Sequence, residues 1–174
     1  MAMESLHDLM IEELRDIYNA EKQILKALPK MAKAASHPQL KKGFEAHIAE
    51  TRGQVERLDR VFAALGKRAT GKRCKAMEGI IEEGKELLEK QDEIPEAVLD
   101  AALICAAQKV EHYEITGYGC CITWAELMGH TEIVALLKQS IAEEEATDKK
   151  LTDLAEKEIN AMANVPDDDM EEDE

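Results

Sequence analysis

Glu21, Glu114 and Glu144 stand where a core-packing helix normally carries an aliphatic residue. Side chains turn by roughly 100° per residue around an α-helix, so each acid can be placed against its apolar neighbours. Met10, Leu14, Ile17, Leu25, Leu28 and Ala32 form a stripe centred on Glu21. Leu103, Ala107, Val110, Tyr118, Cys121 and Ala125 centre on Glu114, with Glu111 one turn earlier on the same face. Ile133, Leu137, Ile141, Leu151 and Ala155 centre on Glu144, with Asp148 one turn later. An ionised carboxylate buried without a partner costs several kcal/mol. The lysines of these segments, such as Lys22, Lys109 and Lys149, fall on outward positions. The acids therefore need a cation that the side chains do not supply. Metal ions bridged by oxygen ligands from separate helices would neutralise several of them at once. A buried network of protonated acids and hydroxyls is the alternative.

A further segment is less regular. Its stripe is Leu40, Phe44, Val55, Leu58, Val61 and Phe62. Thr51 is central, Gln54 is nearer the centre than Glu50, and Glu50 lies about a right angle away by the same rotation. Glu50 is the expected ligand because a carboxylate binds metal and a threonine binds poorly. Gln54 would then be a weak ligand or support one. His47 and His112 are expected to point away from their stripes, towards solvent or an interface. His7, His37 and His130 lie near helix ends. Tyr18 and Tyr118 fall on inner faces near Glu21 and Glu114, placed to hydrogen-bond a ligand carboxylate, to donate an electron, or simply to pack.

These residues need long helices to hold them. The first is expected from about Ser5 to Ala35, kinked or interrupted at Pro29. The second starts with Ser36 as its cap and Pro38 in its first turn, and stops at Gly66. Gly66 to Arg73 is a loop. A short helix, about Cys74 to Lys90, follows. Pro95 opens the third long helix, which Gly129 stops after Met128. Thr131 is the expected cap of the last, which runs to about Met162, before Pro166. Short loops join the first pair and the last pair, and one long crossover joins the pairs. That connectivity is ferritin-like. A short match between His47-Ile-Ala-Glu50-Thr and Ser140-Ile-Ala-Glu-Glu144 falls at equivalent places in the two halves. The fold expected is an all-α, ferritin-like four-helix bundle over residues 1–163, with a fifth short helix in the crossover. Residues 164–174 are expected to form an acidic, disordered tail.

Composition agrees with this. The 174 residues carry a net charge of −15 and only 3% aromatics. Such a surface repels phosphate, which argues against nucleic-acid binding. No apolar run is long enough to cross a membrane, and Met1 to Met10 lacks the pattern of a signal peptide. The cysteines at 74, 105, 120 and 121 form no CxxC, which suits reduced thiols in the cytoplasm.

Four stretches together resemble the YciF-like family of the ferritin-like superfamily. They are Asp16-Ile-Tyr-Asn-Ala-Glu21-Lys-Gln, His47-Ile-Ala-Glu50-Thr-Arg-Gly-Gln54-Val-Glu-Arg-Leu58, Gln108-Lys-Val-Glu111-His-Tyr-Glu114-Ile, and Glu143-Glu-Glu-Ala-Thr-Asp148-Lys-Lys-Leu-Thr-Asp-Leu. The resemblance covers all but the acidic tail. It implies a dinuclear metal site in the bundle, a homodimer, and a link to bacterial stress responses, with no settled reaction. In the wider superfamily the ligands include Glu on the first and third helices and Glu-x-x-His on the second and fourth. Glu21 fits the first position, and Glu111 with Glu114 resembles the paired third-helix acids of rubrerythrin-like members. The second helix departs, with Glu50 followed by Gln54, and so does the last, with Glu144-x-x-Thr147. An oxygen-rich site is therefore expected to hold two metal ions per subunit, iron first and manganese next, with magnesium or calcium also compatible. Three functions stay open: an oxidoreductase consuming peroxide or oxygen, a non-enzymatic stress protein stabilised by its metal, and iron storage. Surplus apolar surface at Ile80, Ile81, Leu87 and Leu88 either packs on the bundle or serves the dimer.

Overall fold

The structure, a computed structural model, describes residues 3–164. Its helices are α1 (Leu6–Ala34), α2 (Pro38–Ala64), α3 (Lys75–Glu89), α4 (Glu96–Leu127) and α5 (Thr131–Leu154). A 3-10 turn, Gln91–Glu93, links α3 to α4, and α5 continues through a π-helical turn, Ala155–Ile159, into α6 (Asn160–Ala163). No strand occurs among the described residues. The expected acidic tail lies, apart from Asn164, outside them.

Local chemistry sets the helix ends. Ser5 caps α1: its hydroxyl accepts from the Asp8 amide at 3.1 Å and donates to the Asp8 carboxylate at 2.7 Å. This satisfies a first-turn N–H and places a negative charge at the positive end of the dipole. Pro29 does not interrupt α1, which runs on to Ala34. The apolar face beyond it, Met31 and Ala32, is buried, and that packing outweighs a proline penalty of about 3 kcal/mol. The expected caps Ser36 and Thr131 are not the caps. His37 precedes α2 and His130 precedes α5, neither with a side-chain capping bond. The task falls at α2 to a distant residue. Both carboxylate oxygens of Asp100, on α4, accept from the amides of Ser36 and His37 at 2.9 Å. At the far ends Gly66 and Gly129 take left-handed φ values of 63° and 74°. The amides after them, Lys67 and His130, close onto Phe62 and Ala125 at 2.9 Å, a turn that a side chain at the glycine would strain.

α1 pairs with α2 and α4 with α5; α2 then packs on α5, and α1 on α4. α3 crosses between the hairpins and lies against α1 and α4. Ile80, Ile81, Leu87 and Leu88 are half-buried in that contact. The molecule is thus an all-α, ferritin-like bundle with a long crossover. α4 comes close to α1 at Gly117, where an added Cβ would lie 3.1 Å from Ile17 Cδ1.

The core divides in two. One apolar cluster includes Ile24, Leu28, Phe44, Leu103, Ala107 and Leu151. The other includes Leu14, Ile17, Leu58, Tyr118, Cys121 and Leu137. Between them, in sequence along each long helix, fall Glu21, then His47, Thr51 and Gln54, then Glu111 and Glu114, then Ser140, Glu144 and Thr147, all buried. A polar layer thus crosses the bundle between two greasy ends. No helix among the described residues is long and apolar enough to cross a membrane. All four cysteines are free.

Candidate metal centre

The middle of the bundle brings together one ligand atom each from His47, Glu111, Glu114 and Glu144, all within 4.8 Å of one another. Glu21 enters the same layer from α1, fully buried. His47 was expected outside its helix's apolar face and is instead inside, with 2% of its surface exposed. Its Nδ1 lies 3.3 Å from Glu50 Oε2 on the same helix. Its Nε2 lies 3.3 Å from Glu111 Oε1 and 3.7 Å from Glu144 Oε2. Donation from Nδ1 to Glu50 leaves Nε2 as the atom facing the acids, the arrangement of a histidine ligand held by a carboxylate.

The other expected residues sort themselves by geometry. Glu50 sits at the flank, where its Oε2 also accepts from the Thr147 hydroxyl at 3.3 Å. Gln54 is fully buried. Its amide donates to Glu143 at 3.1 Å, while its Oε1 has no partner. Thr51 turns its hydroxyl onto the His47 carbonyl at 2.8 Å and is satisfied. Tyr118 donates to Glu21. Tyr18 does not reach a ligand carboxylate; it donates to Asp59 at 2.8 Å. Asp148 is not drawn into the cluster. Its Oδ1 accepts from Gln108 at 3.0 Å and lies 3.2 Å from the exposed His112 ring. Arg57 and Glu143 had no signal on the apolar stripes. Arg57 donates to Ser140 at 3.0 Å and pairs with Glu143, bracing α2 against α5 beside the layer.

The electrostatics are those of a site short of positive charge. Burial first, then the charge of Glu144, pushes Glu21 up to about 8, against the Tyr118 hydrogen bond. Burial pushes Glu111 up to about 7. Burial and their acidic neighbours hold Glu114 and Glu144 well above the ordinary range. Burial opposes the His47 imidazolium, but Glu50, Glu144 and Glu21 outweigh it and raise its pKa. The hydrogen bond from His47 lowers that of Glu50. Glu21 Oε2, Glu111 Oε2, and both oxygens of Glu114 and Glu144 are buried with no hydrogen-bond partner. Among the described residues no lysine or arginine pairs with these four acids; His47 is their one basic neighbour. Such groups are rarely left unsatisfied in a folded interior. Carboxylate oxygens and one imidazole nitrogen, convergent and unpaired, fit a metal ion.

A cavity of about 240 Å³ on the α2–α5 side, lined by Gly43, Glu50, Thr147 and Lys150, reaches His47 and Glu111. It offers a route from solvent to the layer.

The chain is 47% identical over 164 residues to Protein YciF of Escherichia coli strain K12, covering 94% of this chain and 98% of that protein. The crystal structure of the E. coli stress protein YciF superposes with a TM-score of 0.85 at 47% identity, over 91% of this chain and 99% of that one. YcfI from Rhodopseudomonas palustris, provisionally described as a structural protein, gives 0.82 at 45% identity over 86% and 94% of the two chains. The family described as domain of unknown function DUF892 matches residues 5–164. The chain therefore belongs to the DUF892 family, that of the stress protein YciF, whose fold is ferritin-like.

Proposed function

We propose that this chain holds a dinuclear metal centre on Glu21, Glu111, Glu114, Glu144 and His47, with Glu50 reaching it from the flank. One observation carries the reading: buried, unpartnered carboxylate oxygens from α4 and α5 converge with His47 of α2, Glu21 of α1 adjoins Glu114, and among the described residues no lysine or arginine pairs with them. The imidazole moves the expected ions away from magnesium and calcium, which prefer oxygen alone, towards iron first and manganese next. Ions of that kind supply redox chemistry with peroxide or dioxygen. Around them the chain's own groups have definite tasks. Glu50 holds the Nδ1 proton of His47 and so aims Nε2 inward. Tyr118 orients Glu21 through its hydroxyl. The apolar clusters on either side limit water to the polar layer.

The test is anaerobic loading with Fe(II), counting ions per chain, followed by peroxide. Two ions per chain and their oxidation are expected. A chain that takes up no iron or manganese in the absence of chelators sinks the metal reading. Uptake without oxidation favours the second reading, a non-enzymatic stress protein whose metal stabilises the fold. The description of a relative as structural supports that alternative. Storage of iron would need a cage of many subunits. The family resemblance points instead to a homodimer, which light scattering would show as twice 19.4 kDa. A cytoplasmic place in the stress response is the biological setting we infer, supported by the free thiols and the relative's description as a stress protein.

A further inference from the structure

Beneath α3, between it and the α1–α4 pair, lies a second cavity of about 240 Å³. Ile24, Leu28, Ile80, Ile81, Leu88 and Val110 line its body. Its inner end is walled by His47 and Glu111, which are nearly inaccessible. The exposed residues on its lining are lysines: Lys26 and Lys30 from α1, and Lys85 from α3. Lys85 is already engaged by Glu82 at 3.2 Å and Glu89 at 3.6 Å. Lys26 and Lys30, one turn apart, have no ion-pair partner within 4.0 Å among the described residues. On a chain of net charge −15, two cations without an ion-pair partner thus border an aliphatic opening.

Those features select a ligand. Along the aliphatic body of this cavity water gains few hydrogen bonds, so an apolar chain fits there better. Lysines can lay their methylene stems along the rim and present charge to a head group. We propose that this cavity binds a free medium-chain aliphatic carboxylate, tail inward towards His47 and Glu111 and head between Lys26 and Lys30. Ions keep their own approach, past Glu50 on the opposite side. The site is built from α1, α3 and α4, with His47 of α2 at its inner end, and binding there does not depend on metal in the polar layer.

The experiment is calorimetric titration of the purified full-length chain with decanoate, against acetate and decyltrimethylammonium. Saturable decanoate binding is expected, at least about tenfold tighter than either comparison ligand. Gly84→Leu supplies the decisive variant. A Cβ at Gly84 meets only Ala106 Cβ at 3.9 Å, and leucine favours a helix more than glycine does. The variant therefore keeps its helicity while its side chain occupies the cavity, and decanoate affinity should fall at least about tenfold. Lys26→Glu combined with Lys30→Glu, both on the surface, should weaken decanoate similarly and remove the preference over the cationic ligand. No decanoate binding, equal binding of the cation by the parent chain, or unchanged binding in folded Gly84→Leu would overturn the proposal. So would capture by anionic phospholipid vesicles without binding of free decanoate.

Discussion

His47 Nε2 stands 3.3 Å from Glu111 Oε1, across the interior between α2 and α4. The same ring is tethered through Nδ1 to Glu50. His47 thus supplies the basic group that faces Glu111 and Glu144 and, once Nε2 loses its proton, a nitrogen ligand. Replacing His47 by Asn should weaken Fe(II) or Mn(II) binding by more than about tenfold. Glu50→Ala, which frees the ring while leaving it present, should weaken binding by roughly 10- to 100-fold, the usual effect of removing a partner that orients a ligand. Gln54→Ala should change affinity least of the three, because its amide is turned to Glu143. Metal titrations on the three variants check the order.

Glu114 should show opposite effects on binding and on stability. Both its oxygens are buried without a partner. Glu114→Gln keeps the shape but cannot ionise, so the metal-free protein at pH 8 should gain stability, by about 1–3 kcal/mol. The same change removes a ligand and should lower metal affinity at least about tenfold. Thermal melts with and without metal would show the variant melting higher than the parent in chelator and gaining less on loading. A variant less stable in both conditions would mean that Glu114 serves packing alone.

The long helices and their connections were legible because apolar spacing, terminal glycines and prolines are local signals. The expected caps failed because Asp100, at the bottom of α4, supplies the oxygens that Ser36 was expected to provide, a contact between residues far apart in sequence. Most of the acids were legible too, since apolar residues flank them on both sides. His47 carried the same signal, although it was expected on the outer face. The buried positions of α2 advance by alternate fours and threes, through Leu40, Phe44, His47, Thr51, Gln54, Leu58 and Val61. That is a heptad spacing of 3.5 per turn, which drifts from a straight 3.6-residue helix by about 20° per heptad. At about 100° per residue His47 falls roughly 35° from the centre of the expected stripe, nearer than Gln54, while Glu50 stays about a right angle away, so the ideal period already turns the histidine inwards. The same alternation in α1 passes through Leu14, Ile17, Glu21, Ile24 and Leu28. Matching registers across the helices would also have found the histidine. The rotation of Tyr18 and Asp148 was informative about the helix face, but not about which neighbour each polar end would find.

Proton binding gives a pH signature. Glu21 is pushed up to about 8 and Glu111 to about 7, both chiefly by burial. The folded metal-free protein therefore holds these protons more tightly than the unfolded chain does. Their contribution to stability is fully present below about pH 4.5, the ordinary glutamate value, and is lost as pH rises through about 7 to 8. Glu111 alone accounts for something on the order of 3 kcal/mol across that window. His47, also raised, acts in the same direction; Glu50, lowered and partly exposed, opposes it weakly. Metal ions displace these protons, so the loaded protein should behave in reverse, holding its metal at high pH and releasing it as pH falls. Melting temperatures in chelator and in Mn(II) should converge at about pH 5 and separate widely towards about pH 8. Parallel curves would contradict an ion-binding role for the acids.

Tyr118 offers the finest test of how the layer is held. Its hydroxyl crosses from α4 to donate to Glu21 on α1, in a position wholly sealed from solvent. Tyr118→Phe keeps the ring and its packing but leaves both Glu21 oxygens without a hydrogen bond. With Tyr118 no longer favouring the charged form, the Glu21 pKa should rise further. The fall in metal-free stability with pH should then move to higher pH. In the loaded protein a freely turning Glu21 should lower metal affinity by roughly 10- to 100-fold. Oxidation by peroxide, measured with the centre saturated, should stay close to the parent's rate if the hydroxyl only orients a ligand. A slower rate at full occupancy, with unchanged affinity, would make the tyrosine an electron donor instead. Affinity and rate, measured separately on this one variant, therefore separate the two tasks.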